Sequence, residues 1–423
     1  MAHRIVVTSV VVMVAMGSSM ASGSPEEITD DNAKRVVEGN CRFAVQLYQK
    51  LREGDGNLFF SPYSISTALA MTYAGARGQT QQQMADTLRF PTSADVLKEL
   101  DAPGTPMTQE QFAAAFGKIV KDLNARGGKD KYELRVANAL WGQKDYAFLK
   151  AFVRLVEKQC GGKLQELDFV AATEKARRTI NTWVEKQTNG KIKDLISQGS
   201  LDAMTRLVLT NAIYFKGNWA RQFKEDRTRR EPFKLATGGT VQVPMMNQKA
   251  EFGYTETDKL QALELPYAGK ELSMVILLPK EVDGLSDLEQ SLTAEALTEG
   301  LGRLRTREVV VSIPRFKMTS KFELQRVLRV MGMTDAFSRA ADFSGMTGKR
   351  DLLISAVIHQ AYVDVNEEGT EAAAATGVVM KLTSMGPDRI PVFRADHPFL
   401  FLIRDRTSDS VLFLGRVMNP TEG

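Results

Sequence analysis

The sequence predicts an α+β protein, and three observations carry that reading. Helical periodicity dominates as far as residue 187, short β-branched and aromatic runs dominate from Leu207 onward, and no long Pro/Gly/Ser linker separates the two. Helices first and strands later argue against alternating βαβ units. The missing linker favours one large domain over the two or three that 423 residues alone would suggest.

Residues 1–23 place Arg4 before a largely apolar run, 5–15, and then mostly small residues up to Gly23. This is the order of a secretory signal peptide, its apolar centre too short to span a bilayer, with a membrane anchor as the alternative. The expectation is a secreted, extracellular protein cleaved near Ala21 or Gly23, with a single domain over 24–423. Asp30 or Asp31 can cap a first helix with the stripe Val37, Cys41, Ala44, Tyr48 and Leu51, stopped at Gly54. A second helix follows Ser61-Pro62, where proline suits the first turn, carries Ile65, Leu69, Met71 and Tyr73, and ends near Gly75. A third, over 173–187, buries Ala176, Ile180, Trp183 and Val184 before Asn189-Gly190, a left-handed stop signal. Residues 91–107, with Pro91, Pro103, Gly104 and Pro106, read as a surface loop. Strands are expected at 207–215, 263–278, 309–316, 352–365, 392–401 and Val411–Val417, interrupted by a helical patch at 321–330.

Composition removes several function classes. Lys and Arg total 55 against 51 Asp and Glu, and a formal charge of +4 gives no reason to expect a nucleic-acid partner. Of three histidines, His3 lies in the leader, so a multi-histidine metal site is ruled out. No cofactor is expected. Cys41 and Cys160 are too few for a disulfide framework and read as buried thiols rather than a bridge. Beyond the leader no stretch reaches the roughly 18 apolar residues of a spanning helix, so no membrane partner is expected. Arg227, Arg229 and Arg230 form a short basic patch that reads as a solvated face.

One segment departs from this plan. Between the strand-like 352–365 and Val392 lies 367–391, long enough to be functional. Its four alanines, 372–375, favour a helix on propensity alone. A period of two is more informative. Thr370, Ala372, Ala374, Thr376, Val378, Met380 and Leu382 are all uncharged, with nothing large before Met380, while Glu371 and Lys381 fall on the other parity. A strand made from this segment would offer a slim, uncharged face to a packed core. Such a segment suits exposure in one state and residence inside a sheet in another.

The run Glu367-Glu368-Gly369-Thr370-Glu371-Ala372-Ala373-Ala374-Ala375-Thr376 resembles the hinge of an inhibitory serpin's reactive-centre loop. Asn57-Leu58-Phe59-Phe60-Ser61-Pro62-Tyr63-Ser64-Ile65 is similar to that family's early helix entry, and Thr210-Asn211-Ala212-Ile213-Tyr214-Phe215-Lys216-Gly217-Asn218-Trp219 to its central strand. Asp396-His397-Pro398-Phe399-Leu400-Phe401 and Phe413-Leu414-Gly415-Arg416-Val417-Met418-Asn419-Pro420 resemble its closing strands. The likeness covers nearly all of the mature chain. It implies a serpin fold with three β-sheets, about eight or nine helices and an exposed reactive-centre loop at about 367–391. It also implies a monomeric suicide-substrate inhibitor of a serine protease. The protease's serine forms an acyl-enzyme on the loop, and the cut loop inserts into the central sheet before water completes hydrolysis.

The resemblance assigns roles to particular residues. Counting Glu367 as the first, the seventeenth is Thr383, which puts the reactive bond between Thr383 and Ser384; the family's variable spacing also permits a cut one or two residues away, which keeps Leu382, Ser384 and Met385 open. Thr, Leu or Met beside the bond suits an elastase-like or chymotrypsin-like pocket; Lys381, two residues upstream, keeps a trypsin-like preference as the lesser alternative. Glu367, Gly369, Thr370, Glu371, Ala372, Ala374 and Thr376 form the hinge, with Thr370 the first to enter the sheet. Ser61, Ser64, Asn211 and His359 match a polar cluster beneath the sheet, where strands must part, and Trp219 matches a tryptophan at its top. Arg315 is expected to pair with Glu367 and restrain early insertion. The helix that binds heparin-like polyanions in some members falls near Gly78–Leu88, where Gln79-Thr80-Gln81-Gln82-Gln83 is uncharged and gives such a cofactor no support. A non-inhibitory carrier, chaperone or storage serpin is the second reading; its hinge would carry bulky or charged residues at the inserting positions. A hydrolase is the third, but neither His359 nor His397 sits in a motif with a nucleophile.

Overall fold

The computed structural model describes residues 30–102, 104–128, 131–159, 163–370 and 390–422. Helix α1 (Asp30–Leu51) buries Val37, Cys41, Ala44 and Tyr48 along one stripe, as its periodicity requires. After β1 (Leu58–Phe60) comes α2 (Pro62–Tyr73), started by Pro62 and capped by Ser61, whose Oγ accepts from Ser64 N at 3.1 Å. This helix is buried on every side. Helix α3 (Gly78–Leu88) follows. The stretch expected as a plain loop contains α4 (Ala94–Glu99), because Val96 and Leu97 find apolar cover and Met107 N closes back on Pro91 O at 2.9 Å. Next are α5 (Gln109–Arg126), β2 (Tyr132–Gln143), α6 (Lys150–Gln159), β3 (Lys163–Leu167), α7 (Phe169–Gln187) and β4 (Leu207–Asn218). The first half is therefore less helical than expected.

The second half supplies β5 (Arg229–Lys234), β6 (Thr240–Glu256), β7 (Leu260–Pro266), β8 (Leu272–Pro279), α8 (Leu285–Ser291), α9 (Ala294–Gly302), β9 (Arg305–Pro314) and β10 (Phe316–Glu323). It ends with α10 (Gln325–Val330), α11 (Ser344–Thr347), β11 (Ala356–Val365), β12 (Gly369–Thr370), β13 (Val392–Arg394), β14 (Phe399–Asp405) and β15 (Val411–Val417). The helical patch expected at 321–330 is corrected at its start. Residues 321–323 continue β10, which pairs with β11 as far as Glu323 opposite Ile358, and only the remainder is helix.

The strands form two hydrogen-bonded sheets among the described residues. One has nine strands, ordered β1-β15-β14-β8-β7-β6-β9-β13, with β5 on the side of the long strand β6. The other has six, ordered β10-β11-β12-β4-β2-β3. The described residues hold eleven α-helical segments, four of them seven residues or shorter. The six-stranded sheet is covered on both faces. Leu207, Leu209, Ile213 and Phe215 of β4 enter the large core shared with the nine-stranded sheet, while Val208, Ala212 and Tyr214 enter a smaller core under α7 and residues 192–201. Cys41 lies in the large core, where burial pushes its thiol up to about 11, so it stays an inert, protonated packing group. Cys160 lies outside the described residues.

Candidate functional site: a parted sheet and its hinge

In the six-stranded sheet, β4 and β11 run parallel and in register from Val208 opposite Ala356 to Tyr214 opposite Tyr362. Above that point they part, and β12 fills the gap. Gly369 lies opposite Asn218, and Thr370 opposite both Gly217 and Val365, antiparallel to each neighbour. The expected loop is thus already a strand in its first two paired residues. Thr370 is fully buried, its Oγ1 2.8 Å from the hydroxyl of Tyr267. Burial pushes the Tyr267 phenol far above its ordinary value, so it remains a neutral hydrogen-bonding partner. Gly369 is required by close approach. A Cβ there would stand 2.0 Å from Gly217 O and 2.7 Å from Asn218 Cα, both backbone atoms that cannot yield.

The turn leading into this strand is built by Asn366, whose Oδ1 accepts from Glu368 N at 3.1 Å and Gly369 N at 3.3 Å. Residues 219–228 strap it down. Trp219 N donates to Glu368 O and Phe223 N to Glu367 O, both at 2.8 Å. Trp219 Nε1 donates to Asn366 O at 2.9 Å, while its ring stacks on Tyr267 with centroids 4.7 Å apart. The Glu367 carboxylate is buried and held by the Thr228 hydroxyl and by Arg315, whose Nε donates at 2.7 Å. Arg315 and Glu367 are thus brought together, around a buried carboxylate. Leaving such a group without its partner would be costly.

Midway down the same sheet the second expected group is also assembled. The main-chain N–H of Ser61 donates to His359 Nε2 at 3.1 Å, which leaves the imidazole proton on Nδ1, facing Asn211 Oδ1. Asn211 Nδ2 points at Ser64 O, 2.9 Å away, and at Ser64 Oγ and Asn138 Oδ1. Ser61 Oγ donates to Leu412 O of β15 at 2.6 Å and so ties the cluster to the other sheet. His359 is wholly buried, and desolvation lowers its pKa to about 3 despite the Asn211 hydrogen bond, which acts in the opposite direction. The ring is neutral at physiological pH.

His397 faces Asp396 Oδ1 through Nδ1 at 2.9 Å and Pro279 O through Nε2 at 2.8 Å. Both nitrogens are engaged, and neither is placed to activate a nucleophile. Glu371, Ala372, Ala374, Thr376, Thr383 and Ser384 lie outside the described residues. Sequence reasoning missed Tyr267, Thr228, Asn138 and Asn366. Only Asn366 carried a local signal, an Asx turn three residues before a glycine; the others reach the site from distant segments.

Comparison with known proteins gives this geometry a context. Residues 38–420 match the family model described as serpin (serine protease inhibitor). The chain is 44% identical over 397 residues to the leukocyte elastase inhibitor of Bos taurus, covering 92% of this chain and 100% of that protein. It is 41% identical over 396 residues to serpin B3 of Homo sapiens, covering 91% and 99%. Among solved structures, uncleaved ovalbumin superposes with a TM-score of 0.78 at 33% identity, covering 91% of this chain and 100% of that one. The expectation of a secreted, extracellular protein with a signal peptide is overturned by these relatives, which are intracellular serpins without one.

The buried imidazole makes stability depend on pH in a defined direction. The unfolded chain binds a proton near pH 6.5 that the folded chain refuses until about pH 3, so the His359 contribution is complete above 6.5 and is lost as pH falls below it. Urea unfolding between pH 7 and 4 should show a decline of up to about 1.4 kcal/mol per pH unit that is absent in His359→Gln. Parallel curves for the two proteins would refute the assignment.

Proposed function

We propose that this chain, which belongs to the serpin family of serine protease inhibitors, captures an elastase-like or chymotrypsin-like protease by turning a cut loop into a new strand of its six-stranded sheet. Inhibition of serine-type endopeptidases is the function, not carriage or storage, and the family is one of protease inhibitors. The observation that carries the mechanism is the placement of Gly369 and Thr370 in antiparallel register between β4 and β11.

That register can be continued. On the β4 side paired residue numbers sum to 587 (370 and 217), and on the β11 side to 735 (370 and 365). Ala372 would therefore come opposite Phe215 and Val363, Ala374 opposite Ile213 and Ala361, and Thr376 opposite both Asn211 and His359. All these positions share the parity of Thr370, and the opposing residues Phe215, Val363, Ile213 and Ala361 lie in the large core, so an inserted strand would need the absence of bulk at these positions. The hydroxyl of Thr376 arrives where the direct bond between His359 and Asn211 must open, and it can both donate to and accept from the separated pair.

The chemistry that starts this movement belongs to the protease. Its serine Oγ attacks the carbonyl carbon of Thr383, the bond to Ser384 N breaks, and the amine leaves with the protease's proton, so an ester joins the two proteins. Hydrolysis of that ester needs an aligned base and oxyanion donors. Insertion of the loop carries the ester away from the docking end, and tension on the protease disorders those groups before water reacts. The target preference is supported by Thr383 and its uncharged neighbours Leu382 and Ser384, and by the name of the elastase-inhibitor relatives.

Incubation with an elastase-like protease should give an adduct that survives a denaturing gel, and the released C-terminal fragment should begin at Ser384 by mass spectrometry. Thr370→Arg puts a charge into a fully buried position and should convert the protein into a cleaved substrate; adduct at undiminished yield would contradict the insertion route. Thr376→Val keeps the shape but removes the hydroxyl. It should raise the number of inhibitor molecules consumed per protease captured by about twofold or more, the cost of leaving buried polar partners unsatisfied. An unchanged ratio would remove Thr376 from the mechanism.

A further inference from the structure

The basic patch that reads as a solvated face in the sequence sits in an uncommon place. Thr228 is anchored by its hydroxyl on Glu367, just before the point where the reactive loop leaves the sheet. Glu231, three residues on, is paired with Arg394, just after the point where the chain returns. The stretch 224–231 therefore touches the chain on either side of 371–389, and a protease bonded within that segment would be brought close to it. Among the described residues strand β5 pairs only with β6, and its first two residues, Arg229 and Arg230, are both exposed.

Lys224, Arg227, Arg229 and Arg230 are all exposed along this strip, and among the described residues none of them is within ion-pair distance of a carboxylate. The nearby acids on its inner side are already taken: Glu367 by Arg315, Glu231 by Arg394, and Asp396 by Arg394 and Lys234. Glu225 and Asp226, on a 3-10 turn, are exposed as well, so four cations without an ion-pair partner stand beside two carboxylates and a surplus of two remains. Arg229 and Arg230 each donate to one backbone carbonyl, of Thr228 at 3.0 Å and of Gln242 at 3.4 Å, and guanidinium groups without a carboxylate partner at a docking end are suited to carboxylates arriving on another protein.

We infer that Lys224, Arg227, Arg229 and Arg230 form a docking strip for a protease whose surface beside its cleft is acidic. The loop then selects the protease by its pocket, and the strip selects it by its charge. This inference rests on the inhibitory reading above.

The test uses the full chain carrying Arg227→Glu, Arg229→Glu and Arg230→Glu together, against two serine proteases of matched pocket specificity, one with an acidic rim and one with a basic rim. Second-order rates of adduct formation are measured at about 0.05 M and about 0.5 M salt. With the acidic-rim protease, the reversal should slow association by about tenfold or more at low salt, with the gap closing at high salt and the adduct yield unchanged. With the basic-rim protease, the reversal should not slow association. Rates within twofold of the parent protein at low salt on the acidic-rim protease would overturn the inference. Absence of any adduct with the parent protein would instead overturn the inhibitory reading. If the reversed chain does not fold, the corresponding Arg→Gln set decides: a partial, salt-sensitive loss supports the strip, and no loss overturns it.

Discussion

Two parallel strands that touch along seven residue pairs and then part are the constraint on which the rest of the molecule depends. A sheet interior normally satisfies every backbone donor and acceptor with a neighbouring strand. Above Tyr214 and Tyr362 that rule is met only because Gly369 and Thr370 enter the gap and pair with both sides. Below it, β4 and β11 pair with each other, although both also fit a strand between them. One backbone thus has two acceptable partners, and the choice between them is the stored quantity that a cut loop releases.

The groups around the split hold the uncut arrangement at both ends. At the top, Glu367 is buried against Arg315 and Thr228, Thr370 is joined to Tyr267, and three backbone carbonyls of 366–368 are bound by Trp219 and Phe223. Lower down, His359, Asn211, Ser61 and Ser64 join β4, β11 and α2 in one network, and Ser61 extends it to β15. A neutral imidazole suits this position, because a charged one would carry an unpaired cation in a dry interior. Arg315 meets a buried carboxylate, so separating the two would be a larger event than breaking a surface pair.

The sequence was legible where one physical signal dominated. Strands β4 and β11 are covered on both faces, so their apolar runs are nearly continuous and could be read directly, although the expected start at 352 falls four residues before β11 begins at Ala356. Strands β2, β3, β5 and β6 were missed. Residues 163–167 keep no buried side chain, β5 buries only Phe233, and the long β6 alternates unevenly through Pro244, so their strand character comes from pairing partners rather than from pattern. The start of 321–330 reads as helix until β11 is beside it. At the site, the polar residues His359, Asn211, Ser61 and Ser64 could be named, but Tyr267 lies 103 residues from its partner Thr370, and no local spacing could join them. The leader-like amino terminus suggested a compartment that the relatives contradict, a reminder that composition alone does not fix destination.

The account stands or falls on whether loop insertion lowers the free energy of the fold. The most direct measurement is the thermal unfolding midpoint of the intact protein against the same protein cleaved once within 371–389 by a protease that is not captured. Release of a stored strand predicts that the cleaved form melts well above the intact one. A cleaved form that melts at the same temperature or lower would show that nothing was held in reserve to drive capture.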